Sequence, residues 1–93
     1  MNAAALLNRL LMLKPMADEL ASRASKKPQA LLAEAEECLL ENSLERANWL
    51  MDQADQRLLA DEVRKLTPRG LVWQVEPLLK NGNLDEALAL VMS

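Results

Sequence analysis

An all-α fold follows from what this 93-residue sequence contains and what it lacks. Isoleucine, phenylalanine and tyrosine are absent, and the β-branched residues reduce to Val63, Thr67, Val72, Val75 and Val91, so a sheet has almost nothing to be built from. Leucine supplies 21 residues and recurs at helical spacing. Prolines and polar turns divide the chain into five or six short helices whose connections are brief enough to force sequential neighbours antiparallel. The expected unit is one domain, 1–93, because a chain this short leaves no room for two independent cores.

The first helix is expected from about Ala3 to Leu13, with Leu6, Leu10 and Leu13 on one side and Leu7 and Leu11 beside them. Pro15 suits the first turn of a second helix carrying Met16, Leu20 and Ala24 inward; if it lies inside one long helix instead, it should kink it. Pro28 opens the next helix in the same way, with Leu31, Ala35, Cys38 and Leu39 on one face up to Asn42. Ser43 is a natural N-cap for the longest element. There Leu44, Ala47, Met51, Ala54 and Leu58 step by three and four, and Leu59, Val63 and Leu66 continue the stripe with a shift of one. Thr67-Pro68 reads as a cap and first-turn proline for a helix bearing Leu71, Val72, Val75, Leu78 and Leu79, which Pro77 should bend or split. Asn81-Gly82-Asn83 ends it, with Gly82 in the left-handed conformation. Asn83 and Glu86 form a capping-box-like start for a last helix carrying Leu84, Ala87, Leu88 and Val91.

Composition excludes several functions. Without histidine the chain lacks the usual general base near neutral pH and the commonest metal ligand. Cys38 has nothing to activate it and reads as a small buried hydrophobe; being alone, it forms no internal disulfide. Glu34, Glu36, Glu37 and Glu41 read as a solvated acidic face. Gly70 and Gly82 make no phosphate-cradling loop. No catalytic residue, cofactor or metal is therefore expected. A net charge of −3 disfavours a nucleic-acid partner. The two basic groups, Arg23, Lys26 and Lys27 and then Arg64, Lys65 and Arg69, sit near helix C-termini, where cations complement the dipole. No segment approaches the roughly 20 apolar residues of a membrane span. The leucine-rich start lacks a basic n-region and a small-residue cleavage site, so a cytoplasmic protein is expected.

A phrase recurs: Leu39-Leu40-Glu41-Asn42-Ser43-Leu44-Glu45-Arg46-Ala47 returns as Leu78-Leu79-Lys80-Asn81-Gly82-Asn83-Leu84-Asp85-Glu86-Ala87. Each copy reads as apolar helix end, polar turn, acidic helix start and alanine. The stretch Lys80 to Leu88 resembles the turn of a tetratricopeptide repeat, in which glycine closes one helix and a small alanine lets the next pack closely. Ala47, Met51 and Ala54 match the small, large, small positions of that family's second helix. In this alignment the first copy has a turn one residue shorter and no glycine. The family's small first-helix residue falls on Val75 in one copy and on or next to Glu36 in the other, and Pro77 is foreign to the pattern. In length, hairpins and leucine-rich faces the chain is similar to the small tetratricopeptide-like chaperones of type III secretion, which hold an amphipathic helix of the needle subunit. The resemblance implies tetratricopeptide-like helical hairpins; an irregular small helical bundle is the alternative.

The functional expectation is a non-enzymatic adaptor or chaperone receiving an amphipathic helix of a partner protein in a leucine-lined groove. Leu40, Trp49, Leu50, Trp73 and Met92 are the candidate contacts; Trp49 lies off the Leu44 to Leu58 stripe, and tryptophan often anchors interfaces. The alternatives are a homo-oligomeric structural or regulatory protein, whose apolar stripes meet their own copies, and a small acidic inhibitor occupying a basic surface.

Overall fold

The computed structural model describes residues 2–93, and among them every regular element is helical. The order is α1 Ala3–Arg23, α2 Lys27–Leu40, α3 Leu44–Leu66, a 3-10 turn Arg69–Leu71, α4 Val72–Lys80 and α5 Leu84–Met92. The all-α expectation holds, with five α-helices.

A sixth is missing because Pro15 does not start a helix. It lies within α1, which opens on Asn2, whose side chain accepts from the Ala4 N–H at 2.8 Å. An interior proline costs about 3 kcal/mol relative to alanine. Leu6, Leu10, Leu13, Ala17 and Leu20 nevertheless form one buried stripe through it, and each leucine so buried contributes about 1.5–3 kcal/mol. Burial therefore outweighs the lost hydrogen bond. Pro15 itself is exposed, as is Pro77, which α4 also accommodates without splitting because Val75 and Leu79 are buried on either side of it.

Instead of one core, the buried residues form two clusters, in two compact units, one ending at Leu58 and the other running Leu59–Ser93. The first unit joins the α1 stripe to Leu32, Ala35 and Cys38 of α2 and to Ala47, Leu50, Met51, Ala54 and Leu58 of α3. Leu32 takes the inner place expected of Leu31, which is half-buried together with Leu39 and Leu44. Pro28 stands in the first turn of α2, as expected, and is buried.

The second unit buries Ala60, Val63, Val75, Leu79 and Ala87, with Leu71, Leu78, Leu84, Leu90 and Val91 packed against them. Four expectations are corrected here. Leu59 and Leu66 are exposed, so Ala60 and Val63 supply this end of α3. Leu88 is exposed, and Leu90 packs inward instead. Thr67 does not cap the following helix: its Oγ1 donates to the Val63 carbonyl at 2.6 Å and closes α3, while the 3-10 turn intervenes before α4. Asn83 precedes α5, but its side chain makes no capping bond.

The turns after α2 and α4 have the same backbone. Ser43 N–H donates to the Cys38 carbonyl at 2.7 Å and Asn42 N–H to Leu39 at 3.1 Å; Asn83 donates to Leu78 at 2.8 Å and Gly82 to Leu79 at 3.2 Å. Asn42 has φ 61° and Gly82 φ 77°. Both are the paired six-to-one and five-to-two closure that needs a left-handed residue. The turns are thus equal in length, with Asn42 where Gly82 stands forty positions later, and Leu39 corresponds to Leu79 rather than Leu78. This register pairs Ala35 with Val75 and Ala47 with Ala87, all buried. The position of the first copy that corresponds to Val75 is thus Ala35, next to Glu36.

In the first unit Arg9 ties α1 to α3. Its guanidinium lies 2.7 Å from Asp52 and 3.6 Å from Asp55 and donates to Asn48 Oδ1 at 3.1 Å, with the arginine side chain 32% exposed. Arg46 meets Glu34 across α2 and α3 at 2.9 Å, and that hydrogen bond raises its already high pKa. The two sites should differ in weight, since a partly buried cation with three partners loses more than an exposed pair. Arg9→Met is expected to lower the urea unfolding free energy by about 1 kcal/mol, and Arg46→Met to leave the midpoint unchanged. Equal midpoints for both variants would remove Arg9 from this role.

Candidate functional site

Helical spacing decides which leucines a hairpin covers, and the residues left over define the surface available to a partner. On α1 the buried stripe is flanked by a row stepping four, three, four: Leu7, Leu11, Lys14 and Asp18. On α2 a matching row steps Gln29, Ala33, Glu36 and Leu40. Polar contacts tie the two rows: Gln29 Nε2 donates to Asp18 Oδ1 at 2.9 Å, and Lys14 Nζ lies 3.6 Å from Glu36. Because the helices are antiparallel, the α1 row continues from these contacts to Leu11 and Leu7 as the α2 row reaches Leu40. The three leucines therefore occupy the same end of one ledge, and all are exposed, Leu40 at 84%.

At the other end of the ledge lies a cleft of about 170 Å³. Ala17, Leu32 and Ala33 give it apolar walls; Lys14, Asp18, Gln29 and Glu36 form its polar boundary. From Pro28 to Glu45 every charged residue is a carboxylate, whereas from Ala3 to Ala17 the charges are Arg9, turned to α3, and Lys14. Of the residues in the two rows, Lys14 and Asp18 on α1 and Glu36 on α2 are charged, so the ledge carries two carboxylates and one cation.

The sequence-based candidates fall in different places. Leu40 belongs to this ledge. Trp49, 54% exposed, stands on the side of α3 away from the first unit's core, since two residues of helix separate it from buried Met51 by about 200°. Leu50 is a correction: at 1% exposure it is a core residue and no surface contact. Trp73 on α4 and Met92 on α5 are exposed in the second unit, where Leu88 and Met92, one turn apart, share a face. Leu7 and Leu11 were missed as surface residues because they sit one step from buried leucines, and the next residue along a helix reads as core whenever it too is leucine.

Cys38 is a buried free thiol. Among the described residues no cluster of histidine, cysteine, aspartate or glutamate could hold a metal ion, and no helix is long and apolar enough to cross a membrane. No family model, curated protein or solved structure matches the chain.

Proposed function

We propose that the chain is a non-catalytic interaction module, an adaptor or secretion-type chaperone built from tetratricopeptide-like hairpins, that receives an amphipathic helix of a partner protein. One observation carries this reading: large apolar side chains stand exposed in both units, including Leu40, Trp49, Trp73 and Met92. Exposed apolar side chains that share a face, as Leu88 and Met92 do one turn apart on α5, mark contact sites on small proteins. The hairpin reading draws support from the two equivalent turns and from the small buried pairs Ala35 with Val75 and Ala47 with Ala87, which let neighbouring helices approach closely. The resemblance to type III secretion needle chaperones names one client of the right kind. The module works in the cytoplasm, where the free thiol of Cys38 stays reduced.

The test compares the tagged protein with a variant carrying Leu40→Ser, Trp49→Ser, Trp73→Ser and Met92→Ser, both expressed in the native host. The expected result is one stoichiometric protein retained by the wild type and reduced about tenfold by the variant, with unchanged far-UV circular dichroism. Failure to retain a partner, or equal retention by both, sinks the proposal. A discrete homo-oligomer that the variant dissolves would replace it with self-assembly.

A further inference from the structure

The pair Asn81-Gly82 closes a helix and also carries a reaction of its own. We infer that Asn81 is a site of spontaneous deamidation through a cyclic imide, that the closed turn between α4 and α5 holds the reaction back, and that its isoaspartyl product stops the turn from closing again. Solvent supplies the co-reactants, hydroxide and water. Hydroxide removes the Gly82 N–H proton, and the nitrogen attacks Cγ of Asn81. A C–N bond forms, the bond from Cγ to the side-chain nitrogen breaks, and ammonia leaves with a proton taken from water. Water then opens the five-membered ring. Cleavage between Cγ and the Gly82 nitrogen leaves aspartate; cleavage of the original peptide bond leaves isoaspartate, whose main chain runs through Cβ and Cγ and is one methylene longer.

Sequence and exposure single out this position. Of the six asparagines, Asn81 alone precedes glycine; the others precede Ala3, Arg9, Ser43, Trp49 and Leu84, whose side chains crowd the attacking nitrogen. Asn81, Gly82 and Asn83 are all exposed, so water reaches both the amide and the ring that replaces it. The backbone supplies the restraint. Ring closure requires the Gly82 nitrogen to eclipse Cβ of Asn81 about the Cα–C bond. With Asn81 at ψ 1°, that nitrogen eclipses the backbone nitrogen of Asn81 instead, and Cβ lies about 120° of rotation away. Two hydrogen bonds hold this arrangement, from Gly82 N–H to the Leu79 carbonyl at 3.2 Å and from Asn83 N–H to the Leu78 carbonyl at 2.8 Å. The first also engages the proton that hydroxide must remove. The reaction therefore waits for the turn to open, and its rate in the folded protein is the intrinsic rate scaled by the open fraction. In the isoaspartyl chain the added methylene displaces both donors from Leu78 and Leu79, so the paired closure is lost. A new carboxylate also stands at the C-terminus of α4, where the helix dipole opposes it. The face of Leu88 and Met92 is then no longer held on the hairpin.

The test incubates the full-length protein at mildly alkaline pH, folded and in urea, and follows each asparagine by peptide mapping with mass spectrometry, scoring isoaspartate by enzymatic methylation. In urea, conversion is expected to concentrate at Asn81, with isoaspartate among the products; in the folded protein it should be at least about tenfold slower. Asn83→Pro, which removes the donor to Leu78 and leaves Asn81-Gly82 intact, should speed conversion in the folded protein and leave the rate in urea unchanged. The wild-type rates alone decide the point if that variant does not fold. The purified isoaspartyl protein should lose the native amide resonances of residues 72–92, whereas Asn81→Asp, which adds the charge without the methylene, should keep them. No conversion at Asn81 in urea, or equal conversion at another asparagine, overturns the site. Equal wild-type rates with and without urea overturn the control by the turn, and a native spectrum from the isoaspartyl protein overturns its consequence.

Discussion

Met51→Glu should unfold the three-helix unit, while Trp49→Ala should leave its helix content intact. Met51 is 0% exposed and shares its cluster only with apolar side chains; no charged or polar residue is buried among the described residues to receive a carboxylate. An unpaired charge there costs more than about 4 kcal/mol. A domain of this length has only about 5–14 kcal/mol of stability in all. Trp49 is two residues away and mostly in solvent, so its removal should cost about 1 kcal/mol or less. Far-UV circular dichroism and urea titration of both variants decide the matter. A folded Met51→Glu protein with the wild-type midpoint would mean that the inner and outer faces of α3 are reversed.

Gly82→Val should destabilise the second unit by about 2 kcal/mol, and Gly82→Asn by a few tenths. A Cβ at Gly82 meets no atom within 4 Å, so steric crowding by neighbours plays no part and the cost is that of placing a β-branched residue at φ 77°. The chain contains its own control. Asn42 holds the equivalent position at φ 61° in a turn with the same hydrogen bonds, which shows that asparagine accepts this backbone. Thermal melts of the two variants should separate clearly; coincident melts would show that the left-handed turn does not contribute to stability.

Helices were legible because the sequence almost lacks strand formers, and the turns were legible because Pro28 and Asn81-Gly82-Asn83 have strong local preferences. What sequence left open was decided by packing. A proline suited to a first turn is equally tolerated inside α1 when leucines on both sides of it are buried, and nothing local distinguishes the two. Adjacent leucines such as Leu31 and Leu32, or Leu58 and Leu59, carry no mark of which faces inward. The same ambiguity misaligned the repeat: matching the Leu39-Leu40 pair to Leu78-Leu79 hid the correct register, which only the shared turn hydrogen bonds reveal. Of the candidate contacts, Trp49 was separable from the core by its angle on α3. Leu50 was not, because it borders the buried stripe and lies within reach of α3's neighbours.

The placement of the two tryptophans also determines how the molecule can be observed. They are its only aromatic residues, one in each unit, and both are more than half exposed. Emission from the native protein should already resemble that of indole in water, so denaturation will shift its colour little and fluorescence will be a poor monitor of unfolding. The same placement favours its use with a ligand: with Trp73 replaced by leucine, the remaining indole at position 49 reports on the first unit alone, and with Trp49 replaced, the indole at 73 reports on the second. A blue shift on adding a partner then identifies which of the two has been covered.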